Sequence, residues 1–183
     1  TIYLDFVGKK DIAQFILKCV INPEYLEAEH RRPVTLEDFG RTEKEIRNTL
    51  RESNARFSAR LPVAESGYTF EGLLSDAFDL IARYALGILF IEKNQYDFVK
   101  LAGYYRQYRT DFFRIMNDYF TGFMDAGAIR RPLYPHYAVM HIIETLMHWA
   151  VDIRYDAFET KELPLETAKA VALDSLVPAY ERG

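Results

Sequence analysis

The stretch that decides the fold is "FEGLLSDAFDLIARYALGILFIE", residues 70–92. Apolar side chains recur through it at helical spacing and cover most of the circumference of the predicted helix. A helix that is apolar on nearly all sides needs neighbours all around it, so we expect it at the centre of the molecule. Its polar edge consists of Asp76, Asp79 and Arg83, and we expect Arg83 to pair with Asp79 one turn away.

Helical periodicity continues on both sides of this stretch, and no alternating pattern typical of a strand appears. Proline and glycine residues separate further predicted helices over residues 9–20, 42–61, 104–126, 136–158 and 165–180, with a short helix before residue 104. Helix 42–61 has a narrow apolar seam and should be peripheral, whereas helix 104–126 has a broad aromatic face. We therefore predict an all-α domain whose long helices are antiparallel neighbours.

The composition is that of a globular protein, with 49% hydrophobic and 27% charged residues among 183. The net charge of −4 argues against a nucleic-acid-binding surface made by these residues alone. No window approaches the roughly 20 apolar residues of a membrane helix, and no signal-peptide pattern is present, so we expect no membrane partner. The single cysteine, Cys19, predicts a buried, inert thiol and a cytoplasmic protein.

Aromatic residues are unusually frequent, with thirteen Phe, thirteen Tyr and one Trp making up 15% of the chain. One interpretation is a core filled by aromatic rings. The other is a cavity whose aromatic walls hold an apolar ligand. The composition is compatible with both.

The first dozen residues, "TIYLDFVGKKDI", carry a specific spacing of Thr1, Tyr3, Phe6 and Lys9. This stretch resembles the junction between the DNA-binding and regulatory domains in the TetR family of bacterial transcriptional regulators. The resemblance implies that residues 1–8 end a helix-turn-helix domain, whose other helices we expect before Thr1. Residues 9–183 would be the helical ligand-binding and dimerisation domain. Thr1, Tyr3 and Lys9 would then contact DNA, with Tyr3 and Lys9 meeting phosphates.

The same resemblance implies a homodimer that binds a double-stranded DNA operator, usually as a repressor. Helices 136–158 and 165–180 would pair with their symmetry mates as a four-helix bundle. The final helix has a stripe of mostly small residues that allows close helix approach, and these are the predicted interface residues: Ala168, Val171, Ala172, Ser175, Leu176 and Ala179.

A small apolar or aromatic ligand is expected among the central helix, the aromatic helix and the second-last helix. The candidate wall residues are Phe78, Tyr84, Tyr105, Tyr108, Phe112, Met116, Met140 and Met147. Possible polar contacts are His141, Glu144 and His148. Ligand binding would change the spacing of the DNA-reading heads and so shift the regulator between two states.

His141, Glu144, His148 and Asp152 share one face of the second-last helix, a pattern compatible with zinc or iron ligation. No second Glu-x-x-His or cysteine cluster completes a four-ligand site, so we predict no metal and no cofactor. The polar line then faces solvent, a dimer interface or a pocket.

Catalytic motifs are absent from the sequence: there is no Gly-x-Ser-x-Gly elbow and no glycine-rich phosphate loop. We therefore predict no catalytic residues and a protein that is not an enzyme. The main alternative to the regulator is a stand-alone helical ligand carrier or interaction protein without DNA binding. A metal-dependent helical enzyme built on His141, Glu144 and His148 is a further alternative.

Overall fold

The computed structural model describes residues 36–61, 63, 67–155 and 163–181, with side chains from residue 44 onward. Within these ranges the chain forms helices joined by short turns, with no strand and one isolated bridge between Ile129 and Glu181. The all-α prediction is confirmed for this part of the chain. The predicted helix 9–20, including Cys19, lies outside the described residues. None of the described helices is long and apolar enough to span a bilayer.

Six helices of eight or more residues are described: α1 (Leu36–Phe57), α2 (Phe70–Arg83), α3 (Ala85–Lys93), α4 (Val99–Asp125), α5 (Pro135–Met147) and α6 (Leu165–Tyr180). A 3₁₀ turn, Ser58–Arg60, follows α1. A π-helical turn, His148–Asp152, and a short α-turn, Ile153–Tyr155, follow α5. α6 has the predicted bounds, whereas α1 starts at Leu36 rather than at residue 42. The predicted short helix before residue 104 is the first turn of α4.

The central predicted helix is divided in two at Tyr84, whose φ of −106° and ψ of 10° leave the helical region. Its amide donates to the Ile81 carbonyl at 3.1 Å, which tightens the end of α2 before α3 begins. The prediction of one continuous helix was therefore wrong. Both halves are buried on most sides. The apolar pattern of the sequence therefore does not show where one helix ends and the next begins.

α2 lies at the centre of the described residues, as its pattern predicted. The side chains of Leu73, Leu74, Ala77 and Phe78 are fully buried. α2 packs against α5, the π-helical turn and α6.

Both ends of α2 are fixed by polar contacts. Thr69 caps the start of the helix, since its Oγ1 accepts a 3.0 Å hydrogen bond from the Gly72 amide. Asp79 pairs with Lys169 of α6 at 2.6 Å rather than with Arg83. The Arg83 guanidinium lies over the Tyr84 ring instead, 5.8 Å from its centroid.

Many aromatic rings fill the core. Phe70 of α2 meets Phe120 of α4 and Tyr180 of α6 edge to face, with ring centroids 6.1 and 6.0 Å apart. Phe120 and Tyr180 are themselves 5.6 Å apart. These T-shaped pairs are the geometry that aromatic rings prefer, so the cluster ties the three helices together.

A glycine turn ends α4 and sets the direction of α5. Gly127 has a φ of 73°. The Ala128 amide donates to the Phe123 carbonyl at 3.0 Å, and the Gly127 amide to Met124 at 3.1 Å. This is the Schellman arrangement, which favours glycine at the position with positive φ. α5 then begins with Pro135 in its first turn, where a missing amide proton costs nothing.

Candidate functional site

An apolar cleft of about 320 Å³ opens between α4 and α5, with residues of α2 and α3 at its floor. We call it the α4–α5 cleft. The apolar and aromatic lining residues are Ile81, Ile88, Tyr105, Tyr108, Phe112, Phe113, Met140, Ile143 and Met147. The remaining lining residues are Arg109, Thr110, His136 and Glu144. An apolar wall with few polar groups is typical of small-molecule sites.

The helical repeat of α4 makes one wall of the cleft. Tyr105 and Tyr108 stack with ring centroids 6.4 Å apart and 22° between their planes. Tyr108 and Phe112 continue the stack at 6.2 Å and 19°. Residues three and four apart share a helix face, so three rings line up along the cleft.

The antiparallel course of α5 makes the opposite wall. At one end the His136 ring stands edge-on to Phe113, with centroids 4.8 Å apart. At the other end, Glu144 of α5 faces Arg109 of α4. Met140 lies between these two contacts, about one turn after His136, and Met147 lies beyond the second, about three turns after His136. Their flexible thioethers can adapt to the shape of a ligand.

Arg109 links three helices at the rim of the cleft. Its Nη2 donates to Glu144 Oε1 of α5 at 2.8 Å, and its Nη1 to Glu92 Oε1 of α3 at 3.4 Å. The Tyr105 hydroxyl also donates to Glu92 Oε1, at 3.1 Å. One guanidinium is therefore shared by two carboxylates, both partly exposed.

Burial controls the protonation of the tyrosines in this wall. Burial is the main cause that raises the pKa of Tyr105, and the neighbouring Glu92 carboxylate raises it further. Burial also raises the pKa of Tyr108 to about 12, although interaction with Ser53 acts in the opposite direction. Both hydroxyls stay protonated at neutral pH, so they can donate hydrogen bonds.

Six of the predicted ligand-binding residues line the cleft together: Tyr105, Tyr108, Phe112, Met140, Glu144 and Met147. The other five lie elsewhere. Phe78 and Met116 are packed within the core, and Tyr84 is buried between α2 and α3. His141 and His148 are exposed on α5 and on the π-helical turn.

The sequence-based reasoning missed several lining residues, of which Arg109 matters most for the chemistry of the cleft. Tyr105, Arg109 and Phe113 follow one another at spacings of four along the aromatic face of α4. A charged residue inside an aromatic stripe was the available signal. Ile81, Ile88 and Ile143 are indistinguishable in sequence from ordinary core residues.

A second, larger space of about 590 Å³ lies between α1 and α4, and we call it the α1–α4 groove. Its charged lining residues are Arg47, Arg51, Asp111, Arg114 and Asp118. Arg114 pairs with Asp118 at 3.6 Å. The three arginines and two aspartates leave one net positive charge, and these side chains make the groove more polar than the cleft. Tyr108 lines both spaces and separates them.

The polar residues predicted to share one helix face, His141, Glu144, His148 and Asp152, lie in different environments. Glu144 takes part in the cleft through Arg109. His148 Nδ1 lies 3.7 Å from Asp152 Oδ2 at the surface, and His141 is exposed. Among the described side chains, no group of three or more His, Cys, Asp or Glu is placed to hold a metal ion.

The predicted dimer-interface residues of α6 face two directions. Ala168, Ala172 and Leu176 are buried within the chain, where α6 packs on α2 and the π-helical turn. They therefore have no surface left for a partner. Val171, Ser175 and Ala179 are exposed on the flank of the helix next to this buried stripe.

The predicted DNA-contact residues Thr1, Tyr3 and Lys9 lie outside the described part of the chain. No protein-family model, no curated protein and no solved structure matches the chain.

Proposed function

We propose that this chain is the ligand-binding and dimerisation part of a TetR-like transcriptional regulator. In this proposal an apolar or aromatic small molecule binds in the α4–α5 cleft and releases the protein from double-stranded DNA. The observation that carries the proposal is the cleft itself, about 320 Å³ with an aromatic and methionine wall and a charged rim. Such a site can bury a small apolar molecule and orient one polar group of it.

The outward face of α6 supports the dimer. Its exposed residues are Glu166, Thr167, Ala170, Val171, Asp174, Ser175, Pro178 and Ala179, mostly small and uncharged. α6 contacts α5, which carries the exposed Tyr137. Small residues let two helices approach closely, so this pair of helices suits two-fold pairing with a second copy.

The opening residues support the DNA-binding role through the resemblance stated above. Tyr3 and Lys9 stand at the spacing of the family's phosphate contacts. A two-fold dimer would hold two recognition helices about one DNA turn apart, so its operator should consist of two inverted half-sites.

Tyr108 offers a route from the cleft to α1. Its ring lines both the cleft and the α1–α4 groove, and its carbonyl accepts a 3.2 Å hydrogen bond from Asn54 Nδ2 of α1. A ligand that displaces this ring would change how α1 packs on α4. Coupling then requires that the ligand bind one of the two arrangements more tightly than the other.

DNA selection tests the proposal. The protein translated from the whole reading frame, with any residues before Thr1, is incubated with random duplexes, and bound DNA is sequenced over several rounds. We expect enrichment of one inverted repeat with half-sites about one helical turn apart. The control is a variant with Tyr3→Phe and Lys9→Ala, which should bind the enriched duplex more weakly. Failure to enrich any duplex would refute the regulator.

The stand-alone ligand carrier is the second candidate, and the cleft favours it equally. A carrier would bind apolar molecules in the cleft without selecting any DNA sequence. The same selection experiment therefore separates the two candidates when it is run beside a ligand-binding assay.

A further inference from the structure

We propose, on the basis of the ligand-binding role above, that the α4–α5 cleft selects an aromatic or apolar molecule that carries a cationic nitrogen. Glu144 would be the carboxylate that meets this nitrogen. The ligand class is then a hydrophobic amine rather than a hydrophobic acid or a neutral compound.

The charge at the rim is the first reason. Arg109 supplies one positive charge, and it is held between the carboxylates of Glu92 and Glu144. The three side chains together leave one unit of negative charge at the mouth of an apolar space. An approaching cation is attracted to this site, and an anion is repelled by it.

The two carboxylates differ in their spare capacity for hydrogen bonds. Oε1 of Glu92 accepts from both Arg109 and the Tyr105 hydroxyl. Glu144 receives its Arg109 hydrogen bond at Oε1, and its side chain is 62% exposed on the rim. A carboxylate can accept about four hydrogen bonds, so Glu144 can keep Arg109 and accept a ligand ammonium as well.

The wall of the cleft is the second reason. Tyr105, Tyr108 and Phe112 line the cleft as a row of nearly parallel aromatic rings. Ring faces attract cations, and the sulfur atoms of Met140 and Met147 are polarisable. The wall therefore tolerates a positive charge close to the apolar body of the ligand.

A hydrophobic acid fits this rim poorly. To reach Arg109, a ligand carboxylate would compete with Glu92 and Glu144, and three anionic groups would then surround one guanidinium. At about 320 Å³ the cleft is also at the small end of the range for ligand sites. One or two rings with a short amine substituent match both its volume and its charge.

The four methionines of the chain provide a direct readout. Met140 and Met147 line the cleft, whereas Met116 and Met124 are buried in the core and serve as internal references. In protein carrying ¹³C-labelled methionine methyl groups, a ligand in the cleft should shift the Met140 and Met147 signals. The Met116 and Met124 signals should not move.

Three probes with the same rings and different charges test the ligand class: 1-naphthylmethylamine as the cation, 1-naphthalenemethanol as the neutral compound and 1-naphthoate as the anion. Titrations at neutral pH give a dissociation constant for each from the methyl shifts. We expect the amine to bind roughly five- to tenfold more tightly than the alcohol, and the acid to bind most weakly.

Variants test the part played by Glu144. Glu144→Gln should reduce the preference for the amine over the alcohol to within about twofold. Glu166→Gln, which removes a carboxylate from α6 outside the cleft, should keep the full preference. Arg109 remains paired with Glu92 in both variants, so the rim stays assembled.

Each possible result of these titrations either supports the cationic ligand class or overturns it. Shifts at Met140 and Met147 without a preference for the amine would overturn the cationic ligand class and leave the cleft as a ligand site. A preference that survives Glu144→Gln would overturn the proposal as well. Absence of shifts with all three probes would refute both this ligand class and the ligand-binding role.

Discussion

The Tyr119 hydroxyl donates a 2.6 Å hydrogen bond to the carbonyl oxygen of Phe57, joining the last third of α4 to the end of α1. The same hydroxyl accepts a 3.3 Å hydrogen bond from the Arg60 amide in the following 3₁₀ turn. The Tyr119 side chain is fully buried. Its hydroxyl therefore provides a hydrogen-bond partner for two backbone groups where α1 ends and the 3₁₀ turn begins.

Replacing Tyr119 by Phe should lower the free energy of unfolding by about 1–2 kcal/mol, because two backbone groups lose their partner while the ring stays in place. Urea unfolding followed by circular dichroism measures the change. Tyr96→Phe is the control, since that side chain is 88% exposed and should change stability by less than about 0.5 kcal/mol. Equal effects in the two variants would contradict the role assigned to the hydroxyl.

The central position of α2 predicts a large cost for truncating its buried leucines. Leu73 has no exposed surface, so Leu73→Ala should destabilise the protein by about 2–5 kcal/mol through lost burial and the cavity left behind. Leu133→Ala, at a side chain that is 84% exposed, should cost less than about 0.5 kcal/mol. Similar losses at the two positions would place α2 away from the core.

One glycine lies inside α4 and another follows its end. Replacing each by alanine should change the free energy of unfolding in opposite directions. Gly127 has a φ of 73°, so Gly127→Ala should destabilise the protein by about 1 kcal/mol. Gly103 is inside α4, and a Cβ there would meet nothing within 4 Å. Gly103→Ala should therefore stabilise the protein by about 0.5–1 kcal/mol. Thermal or urea unfolding of both variants measures the two changes in stability. A change of the same sign in both variants would be inconsistent with the glycine turn at Gly127.

Alkaline pH should weaken the fold through Tyr108. Burial raises its pKa to about 12 from an ordinary value of 10.0, so the folded protein holds this proton more tightly than the unfolded chain does. The stabilisation is complete below about pH 10 and is lost as the pH rises through about 12. Tyr108→Phe should make the decline shallower in urea unfolding across this window. Phe112→Leu alters the same cleft without removing a hydroxyl and should keep the decline of the parent.

The proposed dimer predicts that a charge on the outward face of α6 will separate the subunits. Val171 is 39% exposed there, and Val171→Arg should give a monomer in sedimentation analysis because two copies of the charge would meet near the two-fold axis. Val99→Arg places the same charge at the start of α4, where the valine is 64% exposed, and should leave the dimer intact. A parent protein that sediments as a monomer would refute the dimer.

The helical class and most helix positions follow from the sequence, because apolar periodicity and proline or glycine boundaries are local signals. α6 is the clearest case, since Pro164 precedes it and its bounds agree with the prediction. The break at Tyr84 was not predictable in this way. It contains no proline or glycine, and both α2 and α3 are apolar on most sides.

The lining of the cleft was also predicted only in part, because apolar periodicity is a local signal. The aromatic face of α4 and the methionines of α5 are visible as stripes, and Tyr105, Tyr108, Phe112, Met140 and Met147 do lie together. Periodicity says which residues face inward, but it does not say where packing stops short of filling the space. Phe78 and Met116 have the same sequence signature and lie in the closed core. The Arg109 pairings depend on how three successive helices pack together, which the pattern of each helix does not specify.

The π-helical turn after α5 keeps rows of buried side chains in line. The same stretch of chain can therefore pack against several neighbouring helices. The buried residues Ile142, Leu146 and Ala150 are spaced by four, and Ile143, Met147 and Val151 repeat the same interval. In an unbroken α-helix each such step drifts sideways by about 40°, and the row would rotate away from its partners. The wider turn absorbs part of that drift. Before the turn the helix contacts α2 and α4, and the turn itself contacts α6 while His148 remains exposed.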